Sequence, residues 1–317
     1  YGLDDIIMVV GYKADKITDY FKDGKRFDVN IRYVIEEKPL GTAGSFYYLK
    51  NMIKSDYFIL LNGDIVFNID FERFIKYFEN SHSLACICTH PNSHPFDSSL
   101  IVTDSDNCVI NWLGKNERPL FYQNQVNAGI HILSSKLLDF VSSPIKISLD
   151  NDILKPLVKE KKLIAYKTPE YIKDMGTPER YYQVSRDLMD GINVKKSLAV
   201  KQKVAFLDRD GTINKYVGFL RNVDDFELRP KVSEAIKILN EKGYLVIVIT
   251  NQPVIARGEI NEQELKIIHN KMETLLGQDG AYVDAIYYCP HHPDSGYTGE
   301  IKALKIKCNC RKPNTGL

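Results

Sequence analysis

The sequence predicts an α/β protein made of two domains in series. Three observations carry this. Short apolar runs alternate with amphipathic stretches of helical period over the first 190 residues, the signature of strands interleaved with helices. A polar, basic and weakly patterned stretch, GINVKKSLAVKQ, then breaks the rhythm over 191–202. The alternation restarts at VAFLD, residues 204–208, and runs to the end. A chain of 317 residues is long enough for about two domains. The expected boundaries are 1–190, a linker at 191–202, and 203–317.

The elements of the first domain follow from pattern. IIMVV (6–10) is a strand, and an amphipathic helix fits Ala14–Phe21. IRYVI (31–35) and FILLN (58–62) are strands, with a helix at about Phe71–Phe78. LACICTH (84–90) and the runs Leu100–Thr103 and Val109–Trp112 suggest a meander, and VNAGIHIL (126–133) is a further strand. Such alternation argues for a mostly parallel sheet with helices on both faces. Thr177 can cap a helix whose first residue is Pro178, where the missing N–H is harmless, and which ends near Met189. In the second domain a helix fits Val232–Lys242, closed by Gly243. YLVIVIT (244–250) reads as a buried strand, 262–276 as a helix and AIYYC (285–289) as a strand.

Composition narrows the function. Hydrophobic content of 44% and charge of 26% fit a soluble globular protein, and a net charge of +1 gives no reason to expect nucleic-acid or membrane partners. The longest aliphatic run, LVIVI (245–249), is far too short to cross a bilayer. The opening YGLDDIIMVVGY has no leader pattern and no initiator Met, and RKPNTGL stops abruptly, so a fragment at both ends is expected. Six cysteines without a secretory signal favour a reducing cytoplasm, and a metal site over disulfides.

Chemistry concentrates at FLDRDGTIN. Ligands of open parallel sheets bind beyond the carboxyl ends of strands, and Asp208 stands at such an end with Asp210 two residues on. Gly211 permits a sharp turn there. One carboxylate could cap a helix, and an isolated DxD would be a solvated turn. Two together can supply a nucleophile, an acid–base group and metal ligands. ITNQ (249–252) ends the neighbouring apolar strand with Thr250, Asn251 and Gln252, and RKP (311–313) adds the cations Arg311 and Lys312 suited to a phosphoryl group.

These motifs resemble the haloacid-dehalogenase-like phosphatases. FLDRDGTIN, TNQPVIARG, YYCPHHP and CNCRKP are similar to the D-glycero-D-manno-heptose 1,7-bisphosphate phosphatase group, whose motifs are shared by the histidinol-phosphate phosphatases. The resemblance covers 203–317 and implies roles. Asp208 would form an aspartyl-phosphate, and Asp210 would protonate the leaving oxygen and then deprotonate water. Mg²⁺ would be held by Asp208 and the Asp210 carbonyl. Thr250 and Asn251 would bond the phosphoryl oxygens, Lys312 would balance their charge, and Gln252, Arg257 and Arg311 would contact substrate. Val254 stands where that group usually has glycine, and its last acidic motif would follow RKP.

CPH (289–291) and CNC (308–310) present ligand-type residues two apart, which extended chain points the same way. Cys289, His291, Cys308 and Cys310 would close a tetrahedral, structural Zn²⁺ site, with His292 as the alternative nitrogen ligand. Free surface thiols or a disulfide are the plainer options. Cys86, Cys88 and His90 share the spacing within a strand, where buried core cysteines are expected.

In the first domain PLGTAGS (39–45) offers small residues where backbone amides can approach a ligand, although a tight turn alone would look the same. LLNGD delivers Asp64 to a strand end, and KDMGTPE does the same for Asp174, a pair able to grip Mg²⁺ on a nucleoside triphosphate. Singly, each would be a turn or cap. PLGTAG, LLNGD, VNAGIHIL and DMGTPE together resemble the sugar-phosphate nucleotidyltransferases, nearest to heptose or mannose 1-phosphate guanylyltransferases, over 1–190. That likeness implies that Gly41, Thr42, Ala43 and Gly44 line a base pocket, that Asp64 and Asp174 bind metal, and that Asn127 and Gly129 face the sugar. The family's Gly-rich triphosphate loop would precede Tyr1, and Gly114 stands where a Glu is usual, before Lys115.

The resulting fold expectation is a nucleotidyltransferase-type mixed sheet, incomplete at its N-terminus, followed by a Rossmann-like haloacid-dehalogenase-type phosphatase domain, incomplete at its C-terminus. The functional expectation is a cytoplasmic two-step enzyme that takes sugar phosphates and a nucleoside triphosphate, with GTP the expected donor. The rivals are a histidinol-phosphate-type or other sugar-phosphate specificity, and a non-catalytic binding or scaffold protein. Oligomeric state is not legible.

Overall fold

In the computed structural model, which describes residues 2–317, the first strands are β1 (Asp5–Val10) and β2 (Asn30–Ile35), with α1 (Ala14–Phe21) between them. They pair in parallel, Ile6 opposite Ile31 and Val10 opposite Ile35. Next come α2 (Phe46–Met52), β3 (Tyr57–Leu61), β4 (Ile65–Asn68), α3 (Phe71–Glu79) and β5 (Ala85–His90). Then follow β6 (Leu100–Thr103), β7 (Val109–Leu113), β8 (Val126–Ser134), α4 (Lys155–Lys159), β9 (Leu163–Lys167), β10 (Tyr171–Asp174) and α5 (Pro178–Met189). Asp70 caps α3 by accepting from Arg73 N, and Thr177 caps α5 by accepting from Arg180 N, as its sequence requires.

The main sheet is mixed, but it is not mostly parallel. β8 runs antiparallel to β3, β5 and β6, β6 is antiparallel to β7, and only the β5–β9 pair in this sheet is parallel. The physical reason is connection length. Parallel neighbours need a crossover of a dozen or more residues, and the few residues between β6 and β7 allow only a hairpin. β8 is its central strand and is buried on both faces. Phe46, Ile87, Leu133 and Leu137 pack on one side, and Phe74, Cys86, Ile130 and Ile132 on the other. β4 and β10 form a separate antiparallel pair that sets Asp174 opposite Ile65.

The 191–202 segment connects the two parts but is not a loose tether. It holds the short helix α6 (Ile192–Lys195), and Ile192 and Lys196 are buried. Leu198 N donates to Glu170 Oε1 in the first part, while Lys196 Nζ reaches Tyr282 Oη at 3.0 Å and Asp284 Oδ1 at 3.4 Å in the second.

Residues 203–317 build β11 (Val204–Leu207), α7 (Val232–Glu241), β12 (Leu245–Asn251), α8 (Pro253–Ala256), α9 (Glu262–Gln278) and β13 (Ala285–Cys289). Here the parallel expectation holds, with strand order β11-β12-β13. Each crossover carries a helix, and the central strand β12 is covered and reads as a continuous apolar run, while the outer strands leave Phe206 and Tyr287 exposed. Phe226, Ile236, Val246, Val248, Leu265 and Met272 form the core. α9 starts on a reciprocal box in which Asn261 and Glu264 cap one another's main chain. Among the described residues no helix is long and apolar enough to cross a membrane.

Candidate active sites and metal centre

β11 ends at Leu207, and the chain turns at once through Gly211 at φ 79°. Three of the turn's hydrogen bonds converge on one acceptor, Arg209 O, which takes Thr212 N, Ile213 N and Asn214 N, while Gly211 N donates to Asn214 O. Among the described residues none of these turn bonds runs to the Asp210 carbonyl. Asp208 is half exposed, and both of its bonds go to Oδ1, from Lys312 Nζ at 3.0 Å and Arg209 N at 2.7 Å. Oδ2 and the Asp210 carbonyl thus remain as oxygen donors of the kind Mg²⁺ takes. The donor set fits that ion.

The parallel register brings β12 alongside, so Thr250, Asn251 and Gln252 emerge at the same edge. Gln252 Nε2 donates to Asp210 Oδ2 at 2.8 Å and to Thr250 Oγ1 at 2.9 Å. Asn251 clasps the Lys312 main chain, accepting from its N and donating to its O at 3.0 and 3.1 Å. Lys312 Nζ also donates to Ile249 O at 2.7 Å, which aims it at Asp208. The expected group Asp208, Asp210, Thr250, Asn251, Gln252 and Lys312 is therefore assembled, with the Asn251 amide spent on holding Lys312.

Two other expected residues are held by partners outside it. Arg311 donates to His291 O at 3.3 Å. The Arg257 guanidinium lies between the rings of Phe219 and Tyr297, 4.0 and 4.3 Å from their centroids.

Three participants were not legible. Arg209 is fully buried and grips Asp210, Asn214 Nδ2 donates to Asp210 Oδ1 at 3.2 Å, and His269 of α9 meets Arg209. Burial, then the Arg209 charge, pushes the His269 pKa down to about 3, so its ring is neutral. Strand alternation was the available signal for Arg209. If Asp208 and Asp210 face the opening, the residue between them points inward.

The four expected metal ligands do come together. The ligand atoms of Cys289, His291, Cys308 and Cys310 all lie within 4.8 Å of one another. The sulfurs are 3.3–3.5 Å apart, and His291 Nδ1 is 3.3 Å from Cys310 Sγ and 3.7 Å from Cys289 Sγ. Disulfide sulfurs sit at about 2.0 Å, so these are thiols. Tetrahedral Zn–S bonds of about 2.3 Å give edges close to the observed spacing, and the set fits zinc. Burial, then the neighbouring thiols, pushes the Cys289 pKa up to about 12. His292 is turned away, its Nδ1 accepting from Asp294 N at 3.2 Å. Cys86 and Cys88 are core residues, as their strand context suggested.

In the first part Asp64 and Asp174 converge. A Cβ on Gly176 would lie 3.4 Å from Asp64 Oδ2 and 3.6 Å from Asp174 Oδ1. Arg180 Nη1 donates to Asp174 Oδ1 at 2.8 Å, and its Nη2 pairs with Asp97, which also holds His94 Nδ1 at 2.9 Å. Asn127 Oδ1 accepts from Gly129 N, and Gly129, at φ 71°, faces Asn62 so closely that a Cβ would meet its amide at 2.6 Å. Gly41, Thr42, Ala43 and Gly44 form a turn packed on 145–149. Thr42 Oγ1 accepts from Leu149 N at 2.7 Å, and Ala43 is fully buried. A Cβ on Gly44 would strike Ile145 O at 2.2 Å, which is why this turn is glycine-rich.

Residues 1–191 match the family model described as nucleotidyl transferase. The chain belongs to that family. Its residues 203–317 match a second model, described as polynucleotide kinase 3 phosphatase. The chain therefore joins a nucleotidyltransferase domain to a haloacid-dehalogenase-like phosphatase domain. Among curated relatives, D-glycero-beta-D-manno-heptose-1,7-bisphosphate 7-phosphatase of Haemophilus ducreyi is 44% identical over 117 residues, covering 37% of this chain and 62% of that protein. The Escherichia coli K12 protein of the same name is 39% identical over 112 residues, covering 35% and 56%. The chain thus spans roughly three-fifths of the length of these relatives. Among solved structures, HddC from Yersinia pseudotuberculosis aligns with a TM-score of 0.50 and 27% identity, covering 59% of this chain and 80% of that one. The nucleotidyltransferase match takes in Asp64, Asn127, Gly129 and Asp174. The phosphatase match takes in the Asp208 cluster and the thiol–imidazole centre.

Proposed function

We propose that the phosphatase domain hydrolyses the 7-phosphate of a D-glycero-D-manno-heptose 1,7-bisphosphate and that the nucleotidyltransferase domain joins the resulting 1-phosphate to a nucleotide, with GTP as donor. The observation that carries this reading is the Asp208 carboxylate. It stands at a strand end with Oδ2 open, Lys312 at 3.0 Å and a second carboxylate two residues on. The heptose substrate is suggested by the relatives' names, and the pairing by chemistry: one domain's product is the other's acceptor.

In the first half-reaction Asp208 attacks phosphorus, the P–O bond to the sugar breaks, and Asp210 gives its proton to the departing oxygen. In the second, Asp210 takes a proton from water, the hydroxide attacks phosphorus, and Asp208 leaves as carboxylate with release of inorganic phosphate. Lys312 offsets charge on the transferred group, and the Thr250 hydroxyl and Gln252 amide line its approach. Mg²⁺, held by Asp208 and the Asp210 carbonyl, would screen the phosphoryl charge when bound. In the other domain Asp64 and Asp174 would hold the triphosphate's Mg²⁺, with Asn127 and Gly129 toward the sugar. The Cys289–His291–Cys308–Cys310 centre is assigned a structural Zn²⁺, and the free thiols support a reducing cytoplasm.

The test is phosphate release by the full-length protein from heptose 1,7-bisphosphate and from histidinol phosphate. Turnover of the first with little of the second is expected, and Asp208→Asn should lower it at least about 10³-fold. Preference for histidinol phosphate would move the protein to another pathway. Turnover retained after Asp208→Asn would remove the nucleophile.

A further inference from the structure

Arg209 is the largest fully buried side chain among the described residues, yet it lies in the two-carboxylate motif itself. Burying a charge is costly unless it is paired and hydrogen-bonded, so its partners are informative. Nε and Nη2 donate to Asp210 Oδ1 at 3.2 and 2.9 Å, and Nη2 reaches Asp210 Oδ2 at 2.9 Å. Nη2 also donates to Gln252 Oε1 at 3.0 Å, and Nη1 meets His269 Nε2 at 3.2 Å.

A guanidinium carries only donors, so each of these contacts fixes its partner. His269 must present Nε2 as acceptor. Gln252 must present Oε1 to the arginine, which turns Nε2 onto Asp210 Oδ2 and Thr250 Oγ1. The direction of the Asp210 carboxylate and of the Gln252 amide is thus set mainly by Arg209, with Asn214 Nδ2 adding one bond to Asp210 Oδ1 at 3.2 Å. Arg209 is anchored in turn by a neutral imidazole on α9.

We propose that Arg209, braced by His269, is a positioning residue that aims the Asp210 carboxylate at the oxygen leaving the phosphoryl group. This rests on the phosphatase reading above, in which Asp210 serves that oxygen. A planar fork holds a carboxylate in one orientation, which a lysine cannot do. Aiming a proton donor contributes only where the leaving group needs a proton, and that gives the idea a signature that mere scaffolding lacks.

The experiment measures kcat/KM of the full-length protein over aryl phosphates from 4-nitrophenyl phosphate to phenyl phosphate, a ratio that reports the steps up to aspartyl-phosphate formation and not the later attack of water, which is common to the series. Arg209→Gln should lower kcat/KM on phenyl phosphate roughly 100-fold, the usual scale of a general acid's contribution. On 4-nitrophenyl phosphate, whose phenolate leaves unaided, the loss in kcat/KM should stay below about tenfold. His269→Leu, which removes the acceptor without touching the arginine, should show the same selective loss at smaller size, and His269→Gln should restore most of it. The His269 pair decides the matter if Arg209→Gln does not fold. Equal losses across the series, or identical behaviour of His269→Leu and His269→Gln, would overturn the proposal. Asp208→Asn separates the two levels: it should abolish every substrate alike, and if it does not, the parent reading fails whatever Arg209 does.

Discussion

Glu273 sits on α9 with 7% of its surface exposed, between the two domains. Burial pushes its pKa up to about 8, partly offset by the Asn124 main chain and the charges of Lys167 and Lys266. The folded-state pKa therefore exceeds the unfolded one. Between the ordinary value of 4.5 and about 8, the unfolded chain releases a proton that the fold retains. Stability must fall as pH rises through that window, by up to about 1.4 kcal/mol per pH unit. Glu273→Gln mimics the protonated form, so its stabilising effect should be small at pH 5 and larger at pH 8. Thermal melts at the two values check this, and an equal shift at both would mean that Glu273 is solvated in solution. At this scale the sequence was readable where residue type alone declares chemistry. Asp208, Asp210, Lys312 and the four metal-type ligands lie where their spacing put them. Arg209, Glu273 and His269 were not readable, because their importance depends on burial by segments far away in the chain.

Elements were legible in proportion to their length and period. The boundaries of α1, β6, α5 and β13 follow directly from pattern and caps. The four-residue strand β4 was missed, since it follows the end of β3 by only three residues, whereas the strand end at Asp174 in β10 was expected. The sense of pairing in the first sheet was missed too, because it is set by connection length rather than strand composition. The segment after β13 shows what an element without regular structure can do. Ile301 N donates to Ala256 O at 3.0 Å, and a Cβ on Gly258, at φ 69°, would fall 1.9 Å from Gly299 O, so the loop lies directly on α8. Its Tyr297 stacks on Arg257 and accepts from Nη2 at 3.2 Å. The thiol–imidazole centre closes both ends of this loop, which has little apolar content of its own. Cys310→Ser should therefore abolish binding of one zinc per chain, read by metal analysis. It should also raise KM for the sugar bisphosphate roughly tenfold or more through a misplaced Arg257, with a smaller change in kcat. A zinc-free protein with unchanged KM would detach the loop from the substrate.

At the scale of the whole molecule, α9 is the member the two domains share. His269 on one face meets Arg209, while Thr274 and Gly277 on another meet the nucleotidyltransferase domain. Thr274 Oγ1 accepts from Tyr122 N at 2.9 Å, and the Lys271 ammonium lies over the Phe121 ring at 5.4 Å. On the far side Lys196 adds a buried pair with Asp284. Burial alone would lower its pKa, but attraction to Tyr282 and Asp284 outweighs this and raises it. These contacts argue for fixed domains rather than beads on a string, and Gly277 tests that directly. In an isolated helix, Gly→Ala stabilises by up to about 1 kcal/mol. Here the added Cβ would come 2.7 Å from Pro95 Cγ, part of a buried and rigid ring. Gly277→Ala should therefore destabilise the protein despite its better helix propensity, by roughly 1–3 kcal/mol for an overpacked contact. Adding Pro95→Ala should recover most of the loss. Denaturant unfolding of the two single variants and the double variant closes the cycle. If the domains swing freely in solution, Gly277→Ala alone will be more stable than the parent, and Pro95→Ala will not alter its effect.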